Sequence, residues 1–266
     1  MIAKLKAAGA HDVIQHGPTW QDADRYLRDV VIGKNNTSAI YAPPFDHPDI
    51  WTGHSSMVPE IFNELKVSRS TPVTLVCSVG GGGLLNGIMQ GLDQYFPETS
   101  LGVQQPTVLA VETRGAESLN ASVRAGKLVT LDGITSQATS LGARQVTPQT
   151  LEYAQRENVK SVVLDDSEAA MACCRLADDE RVMVELACGV NVALCYDGRL
   201  EKALGRKVQK DEVVVIVLCG GSNVTIDMLA NWRNEYASVF GQTEGEKIGN
   251  GNVEPVPSAT TLPQNA

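Results

Sequence analysis

A chain of 266 residues, 43% hydrophobic and 20% charged, has ample material for a core and the balance of an ordinary globular protein, as one large domain or two smaller ones. Its 31 acidic residues outweigh 22 basic ones for a net charge of −9, and no basic run is present, so nucleic acid is excluded as a partner. No apolar segment reaches membrane-spanning length and the lysine-dotted start does not read as a signal peptide, so a cytosolic protein with no membrane association is expected.

Met1 to Ala8 reads as the end of a helix closed by Gly9, and Asp12 to Gln15 as a short strand. Thr19 opens a helix with Asp22 in the capping-box position and Trp20, Ala23, Leu27 and Val30 on one face. A polar turn from Asn35 to Ser38 leads to an expected strand, Ala39 to Ala42, stopped by Pro43-Pro44. Phe45 to Ser56 is rich in turn formers and aromatics and reads as a loop. It lies against a site or forms a packed crossover between domains; His47 and His54 have no partner nucleophile in the sequence. Ser56 then caps a helix with Met57, Ile61 and Leu65 stacked at i, i+4 and i+8 and Pro59 in its first turn.

Pro72 to Val76 is a β-branched strand segment, and Leu84 to Tyr95 has apolar residues at helical spacing. Between them lies Cys77-Ser78-Val79-Gly80-Gly81-Gly82-Gly83. Four glycines in strand–turn–helix context let backbone N–H groups approach a ligand at the positive end of a helix, a phosphate site. The alternative is a glycine turn with no ligand. The stretch has no Gly-Lys-Ser/Thr and no dinucleotide fingerprint, so a phosphate here belongs to something other than ATP or NAD.

Pro106 to Val111 is a second strand, ending at Glu112. Ser118 to Ala125 reads as helix, Leu128 to Gly133 as a turn, Ser136 to Gly142 as a short helix or loop, and Thr147-Pro148 as another helix start. Ser161 to Leu164 is a third strand, with Ser167 capping the helix that follows. Leu186 to Leu204 reads as one long helix. Glu212 to Leu218 is the fourth and strongest strand, running into Cys219-Gly220-Gly221-Ser222-Asn223 and a last helix toward Trp232. From Gly241 the composition is that of a disordered tail. The six cysteines show no Cys-x-x-Cys pair and no histidine cluster, which favours reduced thiols over disulfides or zinc. Alternating strands and helices imply a parallel α/β sheet covered on both faces, with ligands at the carboxyl ends of the strands. Gly80 to Gly83, Glu112 and Cys219 all fall at such ends.

Four motifs in this order and spacing resemble the pyridoxal-phosphate L-serine/L-threonine dehydratases of the tryptophan synthase β-like, fold type II group. They are Phe45-Asp46-His47-Pro48 with Trp51 to Ser56, Gly80 to Gly83, Val111 to Ala116, and Cys219 to Asn223. The subgroup resembled is that of eukaryotic cytosolic serine dehydratases, in which cysteine opens the last motif. The resemblance runs from about Met1 to about Trp232. It implies a doubly wound large domain over residues 43–240, a remnant of the small domain over 1–42, and a tail over 241–266. It also implies that Gly80, Gly81, Gly82 and Gly83 hold the phosphate of pyridoxal 5'-phosphate and that Cys219 faces the pyridine nitrogen. A monovalent cation such as K+ would sit on the carbonyls of Gly80, Ala116, Leu141 and Ala143 and the side chain of Glu112, for which a salt bridge is the alternative role. The implied reaction is β-elimination of L-serine, or L-threonine, to pyruvate or 2-oxobutanoate and ammonia, and a homodimer is usual among similar proteins.

One departure stands out. The Schiff-base lysine of this family and its Asn-rich, substrate-gripping loop would lie before Met1, and none of the ten lysines here, Lys4 and Lys6 included, has the required context. Three readings follow: a dehydratase-type enzyme whose sequence is cut short, a shortened chain that binds a phosphate ligand or a partner without catalysis, or another fold type II lyase or synthase. Catalysis by these 266 residues alone is not expected.

Overall fold

A computed structural model describes residues 1–33, 38–66, 71, 73–96 and 105–240. The tail expected from Gly241, the core of the polar turn at Asn35 and the strand-opening Pro72 lie outside the described residues. The chain divides into two compact units, Met1–Pro44 and Phe45–Ala266.

In the first unit, α1 (Ile2–Ala7) ends before Gly9, which takes φ +96°. Helix α2 (Trp20–Tyr26) is capped as expected: the Thr19 hydroxyl accepts the Asp22 N–H while the Asp22 carboxylate accepts the Thr19 N–H, both at 3.3 Å. It continues into a π-helical turn, Leu27–Ile32. Residues 12–15 and 39–42 are not strands. A strand needs a neighbour for its backbone groups, and the described residues of this unit offer none.

The second unit is a four-stranded parallel sheet in the order β3-β2-β1-β4. Its strands are β1 (Val73–Ser78), β2 (Thr107–Thr113), β3 (Val159–Leu164) and β4 (Val213–Ile216). Period-2 alternation divides each strand between two cores. Leu75, Cys77, Val108 and Ala110 face one core, shared with α4 (Met57–Leu65), α5 (Gly83–Tyr95), α6 (Ser118–Ala125) and α7 (Pro148–Ala154). Val76, Leu109, Val111 and Val162 face the other, shared with α8 (Asp166–Glu180), α9 (Leu186–Val192), α10 (Arg199–Leu204) and α11 (Ile226–Glu235). Both faces of the sheet are thus covered by helices, as the alternating pattern predicts.

The segment expected to be a loop is helix α3 (Pro48–Ser55), with the His47 ring accepting the Asp49 N–H at 3.2 Å at its start. It packs on α5 through a stripe of glycines. A Cβ on Gly87 would run into His54 and lie 2.8 Å from the Trp51 carbonyl; one on Gly91 would lie 2.6 Å from the Ser55 carbonyl. Helix α4 buries Val58 and Phe62, with Met57 and Ile61 at the margin, so its core face is rotated from the expected one. Helix α8 starts two residues earlier than expected, with Asp165 rather than Ser167 as its N-cap, and the Asp165 N–H donates to Glu168 at 2.9 Å. The expected long helix from Leu186 is broken. A 3-10 turn at Ala193–Cys195 follows α9, and Asp197 and Gly198 both take positive φ before α10. Asp-Gly is a turn signal that the surrounding apolar spacing had masked.

Candidate functional site

Strand β1 is buried along its whole length, and the chain leaves it through Gly80 to Gly83 straight into α5. Gly81, Gly82 and Gly83 are buried. Gly82, the N-cap, takes φ +98°, and no side chain among the described residues caps this helix. The loop is packed from behind: a Cβ on Gly81 would enter the Phe45 ring, one on Gly82 the Thr150 hydroxyl, and one on Gly83 would lie 2.8 Å from the Phe45 carbonyl. The Gly81 carbonyl accepts the Thr147 N–H at 3.1 Å and the Gly82 carbonyl the Asn86 N–H at 2.9 Å. The N–H groups of residues 80–84, in contrast, donate to no protein acceptor among the described residues. Buried amides are seldom left unpaired, so those of Gly81 to Gly83, at the start of a 13-residue helix, offer a set of donors to an anion.

Strand β4 lies beside β1 in parallel, Val76 opposite Ile216. The next backbone bond, Val217 N–H to the Val76 carbonyl at 2.9 Å, keeps the strands together toward their carboxyl ends. There the Ser78 hydroxyl lies 3.7 Å from the Cys219 thiol. Cys219 is exposed, while Cys188 beneath it is buried and its sulfur accepts the Cys219 N–H at 3.2 Å. Hydrogen bonds from Cys188 and Ser78 hold the Cys219 thiol below its ordinary value. Burial instead pushes the Cys77 thiol, on β1, up to about 12.

A third segment closes the site. The 3-10 turn Thr139–Leu141 lies against Gly80, where a Cβ would meet the Leu141 Cα at 3.2 Å and the Ser140 carbonyl at 3.3 Å. Asn223 donates to the Ser140 hydroxyl at 3.2 Å through its side chain and to Glu185 at 3.1 Å through its N–H. The structure therefore brings together three stretches far apart in sequence: 80–83, 139–141 and 219–223.

Glu112 is wholly buried on β2, next to β1, whose exit is tied to β2 by Val79 N–H to the Val111 carbonyl at 2.8 Å. It forms no salt bridge among the described residues. Its oxygens accept the N–H groups of Leu119 (2.7 Å) and Asn120 (2.8 Å) at the start of α6. Burial raises its pKa to about 8, against the opposing pull of those two bonds. Of the residues whose carbonyls are expected around a cation, Gly80 and Leu141 pack against each other. Those of Ala116 and Leu141 already accept the N–H of Ser118 (3.1 Å) and Ala143 (2.8 Å), each keeping a second lone pair. Ala116, Leu141 and Ala143 are buried. Among the described residues no cluster of three or more His, Cys, Asp or Glu side chains could hold a metal ion.

Several residues of this site carried no sequence signal. Ser78, Ser140 and Glu185 look like ordinary strand, loop and helix-start residues. Phe45 was visible only as one aromatic in a decorated segment. Its carbonyl accepts the Trp51 indole N–H at 2.7 Å, which fixes the ring over the glycine loop.

A profile of the pyridoxal-phosphate dependent enzymes matches residues 1–220. The catabolic L-serine/threonine dehydratase of Saccharomyces cerevisiae is 42% identical over 233 residues, 85% of this chain and 63% of the yeast protein. The L-serine dehydratase/L-threonine deaminase of Bos taurus is 40% identical over 236 residues, 88% of this chain and 68% of that one. Among solved structures, a fungal L-serine ammonia-lyase from Rhizomucor miehei superposes with a TM-score of 0.77 at 34% identity, covering 88% of this chain and 70% of its own. The chain thus spans about two thirds of the length of the proteins it matches, and just under that for the first yeast one.

Proposed function

The chain belongs to the pyridoxal-phosphate dependent enzymes, and from that premise we propose that it carries the coenzyme-phosphate, ring-nitrogen and cation sites of an L-serine/L-threonine ammonia-lyase. The observation that supports this most is the row of unpaired amides over residues 80–84, buried at Gly81 to Gly83, set beside the thiol of Cys219 through Ser78. The glycines fit the group, because a phosphate needs donors without side chains in its way, and these face no protein acceptor. When bound, the coenzyme supplies an electron sink for negative charge developing on the α-carbon of the amino acid.

The residues of this chain have separate tasks. Gly80, Gly81, Gly82 and Gly83 hold the phosphoryl oxygens. Cys219 would face the ring nitrogen; sulfur, as thiol or thiolate, is a weaker hydrogen-bond partner than a carboxylate oxygen and would hold a proton on that nitrogen less firmly, so the sink would be mild, which suits elimination over transamination. Glu112 with the carbonyls of Gly80, Ala116, Leu141 and Ala143 supplies the hard oxygen ligands of a potassium-type cation. The substrate is L-serine or L-threonine, with a cytosolic homodimer as the working form. No residue of 1–266 is assigned to α-proton transfer, because no lysine here has the Schiff-base context.

The test uses two preparations: residues 1–266, and the protein purified at its native length through a tag on the 3' end of its gene. Both are given pyridoxal phosphate, and pyruvate or 2-oxobutanoate release is followed from L-serine and L-threonine. Expected are coenzyme binding by both preparations and product from the native-length protein alone. Binding by both with product from neither leaves the non-catalytic reading in its place. Failure of residues 1–266 to bind the coenzyme overturns the assignment of the glycine loop.

A further inference from the structure

Behind the glycine loop lies a set of buried side chains that the proposed reaction does not use. Asn86, in the first turn of α5, and Thr150 are fully buried, and Thr147 is 2% exposed. The Asn86 side-chain N–H donates to the Thr147 hydroxyl at 3.0 Å. The Thr150 hydroxyl donates to the Asn86 carbonyl oxygen at 2.9 Å. The two hydroxyls are 2.8 Å apart. Each hydroxyl has one proton, and that of Thr150 is committed to Asn86, so Thr147 must donate to Thr150. The three bonds form a closed ring that runs in one direction. Removal of any member leaves a buried donor or acceptor without a partner.

The ring is joined to the loop at three points. The Thr147 N–H holds the Gly81 carbonyl at 3.1 Å, the Asn86 N–H holds the Gly82 carbonyl at 2.9 Å, and the Thr150 hydroxyl fills the space where a Gly82 side chain would stand. A trans peptide unit carries its C=O and the following N–H in opposite directions. No cis peptide is present among the described residues. A Gly81 carbonyl drawn toward Thr147 therefore turns the Gly82 N–H away from it, and a Gly82 carbonyl drawn toward Asn86 does the same for the Gly83 N–H.

We propose that the Asn86–Thr147–Thr150 ring is a positioning device that fixes the peptide planes of the glycine loop, aims the Gly82 and Gly83 amides at the coenzyme phosphate, and so sets the preference for a phosphorylated ligand. The inference rests on the reading of Gly80 to Gly83 as the phosphate seat. It gives a loop of four glycines, the most freely rotating residues, buried anchors that restrict its conformations.

The experiment compares the wild-type chain with Thr150→Val, Thr150→Ser and Thr74→Val by titration with inorganic phosphate, pyridoxal phosphate and pyridoxal. Valine keeps the shape of threonine and removes the hydroxyl; serine restores it. Thr74 is fully buried at the amino end of β1 and donates to Glu212 at 2.7 Å, so its variant loses a buried hydroxyl bond at the other end of the strand. Expected is a loss of about tenfold in affinity for phosphate and pyridoxal phosphate in Thr150→Val, from one broken buried bond. Pyridoxal affinity stays unchanged, Thr150→Ser recovers most of the loss, and Thr74→Val leaves all three affinities alone despite a similar fall in Tm. Unchanged phosphate affinity in Thr150→Val overturns the ring while the phosphate seat stands, and so does an equal loss in Thr74→Val. A wild-type chain that binds neither phosphate nor pyridoxal phosphate removes the seat itself, and the ring's role with it.

Discussion

Strands β1 and β4 are neighbours in register, yet they live in different environments. Every residue of β1 is buried, with Leu75, Val76 and Cys77 wholly so. All four residues of β4 are only partly covered, although Val-Val-Val-Ile is the most apolar strand in the sequence. The difference is one of position: β1 has β2 on one side and β4 on the other, while β4 ends the described sheet. The segments that follow them differ in the same way. After β1 comes a glycine loop clamped by Phe45, Thr147 and Thr150; after β4 comes the exposed Cys219, with Gly220 facing open space. Apolar content names a strand, but its place in the sheet decides how much each residue is worth.

The largest effect is expected from truncation in the central strand. Leu75→Ala should cost about 3 kcal/mol or more by urea denaturation, whereas Val215→Ala in β4 should cost about 1 kcal/mol. Equal losses would show that β4 is covered in solution as β1 is. Next come the two loops. Gly82→Ala combines a left-handed backbone with a clash on Thr150 and should cost about 2–3 kcal/mol. Gly220→Ala, with no positive φ and nothing within 4 Å, should stay within about 0.5 kcal/mol.

A smaller effect tests the tie between the strands at their amino ends. Glu212 precedes β4, accepts the Thr74 hydroxyl of β1 at 2.7 Å and pairs with Arg206 at 2.7 Å. The Arg206 bond, followed by that of Thr74, lowers its pKa to about 2 from an ordinary 4.5. A depressed folded-state value means that the stabilisation is present above pH 4.5 and is lost as pH falls toward 2. Glu212→Gln should therefore be less stable than wild type by about 1 kcal/mol at pH 7, after discount for the exposure of the arginine, with the gap closed at pH 2. A gap that stays constant with pH would remove the charge from the account.

The cysteines give the finest comparison. Cys219 should be alkylated by iodoacetamide in the folded chain at neutral pH, faster than the exposed Cys195, whose pKa burial raises, and Cys77 should react only on unfolding. Peptide mass spectrometry after timed alkylation reads the order. Cys195 reacting first would contradict the lowered value at Cys219.

The sheet and its main helices were legible because their signals are local. β-branched runs, the Thr19–Asp22 capping box and the Thr147-Pro148 helix start each declare themselves within a few residues. What escaped depended on partners elsewhere. The stretches at 12–15 and 39–42 fail as strands for want of a neighbour, and Pro48 to Ser55 becomes helical against a stripe of glycines on α5. The glycine loop and Cys219 were visible as motifs at strand ends. That Ser78, Ser140 and Glu185 join them, and that Asn86, Thr147 and Thr150 close a ring behind the loop, follows only from the fold, since each is a common polar residue with nothing local to mark it.

The most direct test of the central claim is the amide spectrum of the glycine-labelled chain during titration with pyridoxal phosphate. The resonances of Gly80, Gly81, Gly82 and Gly83 should move together, inorganic phosphate should move the same set, and pyridoxal without its phosphate should leave them in place. Pyridoxal phosphate binding with those four resonances unmoved would contradict that claim.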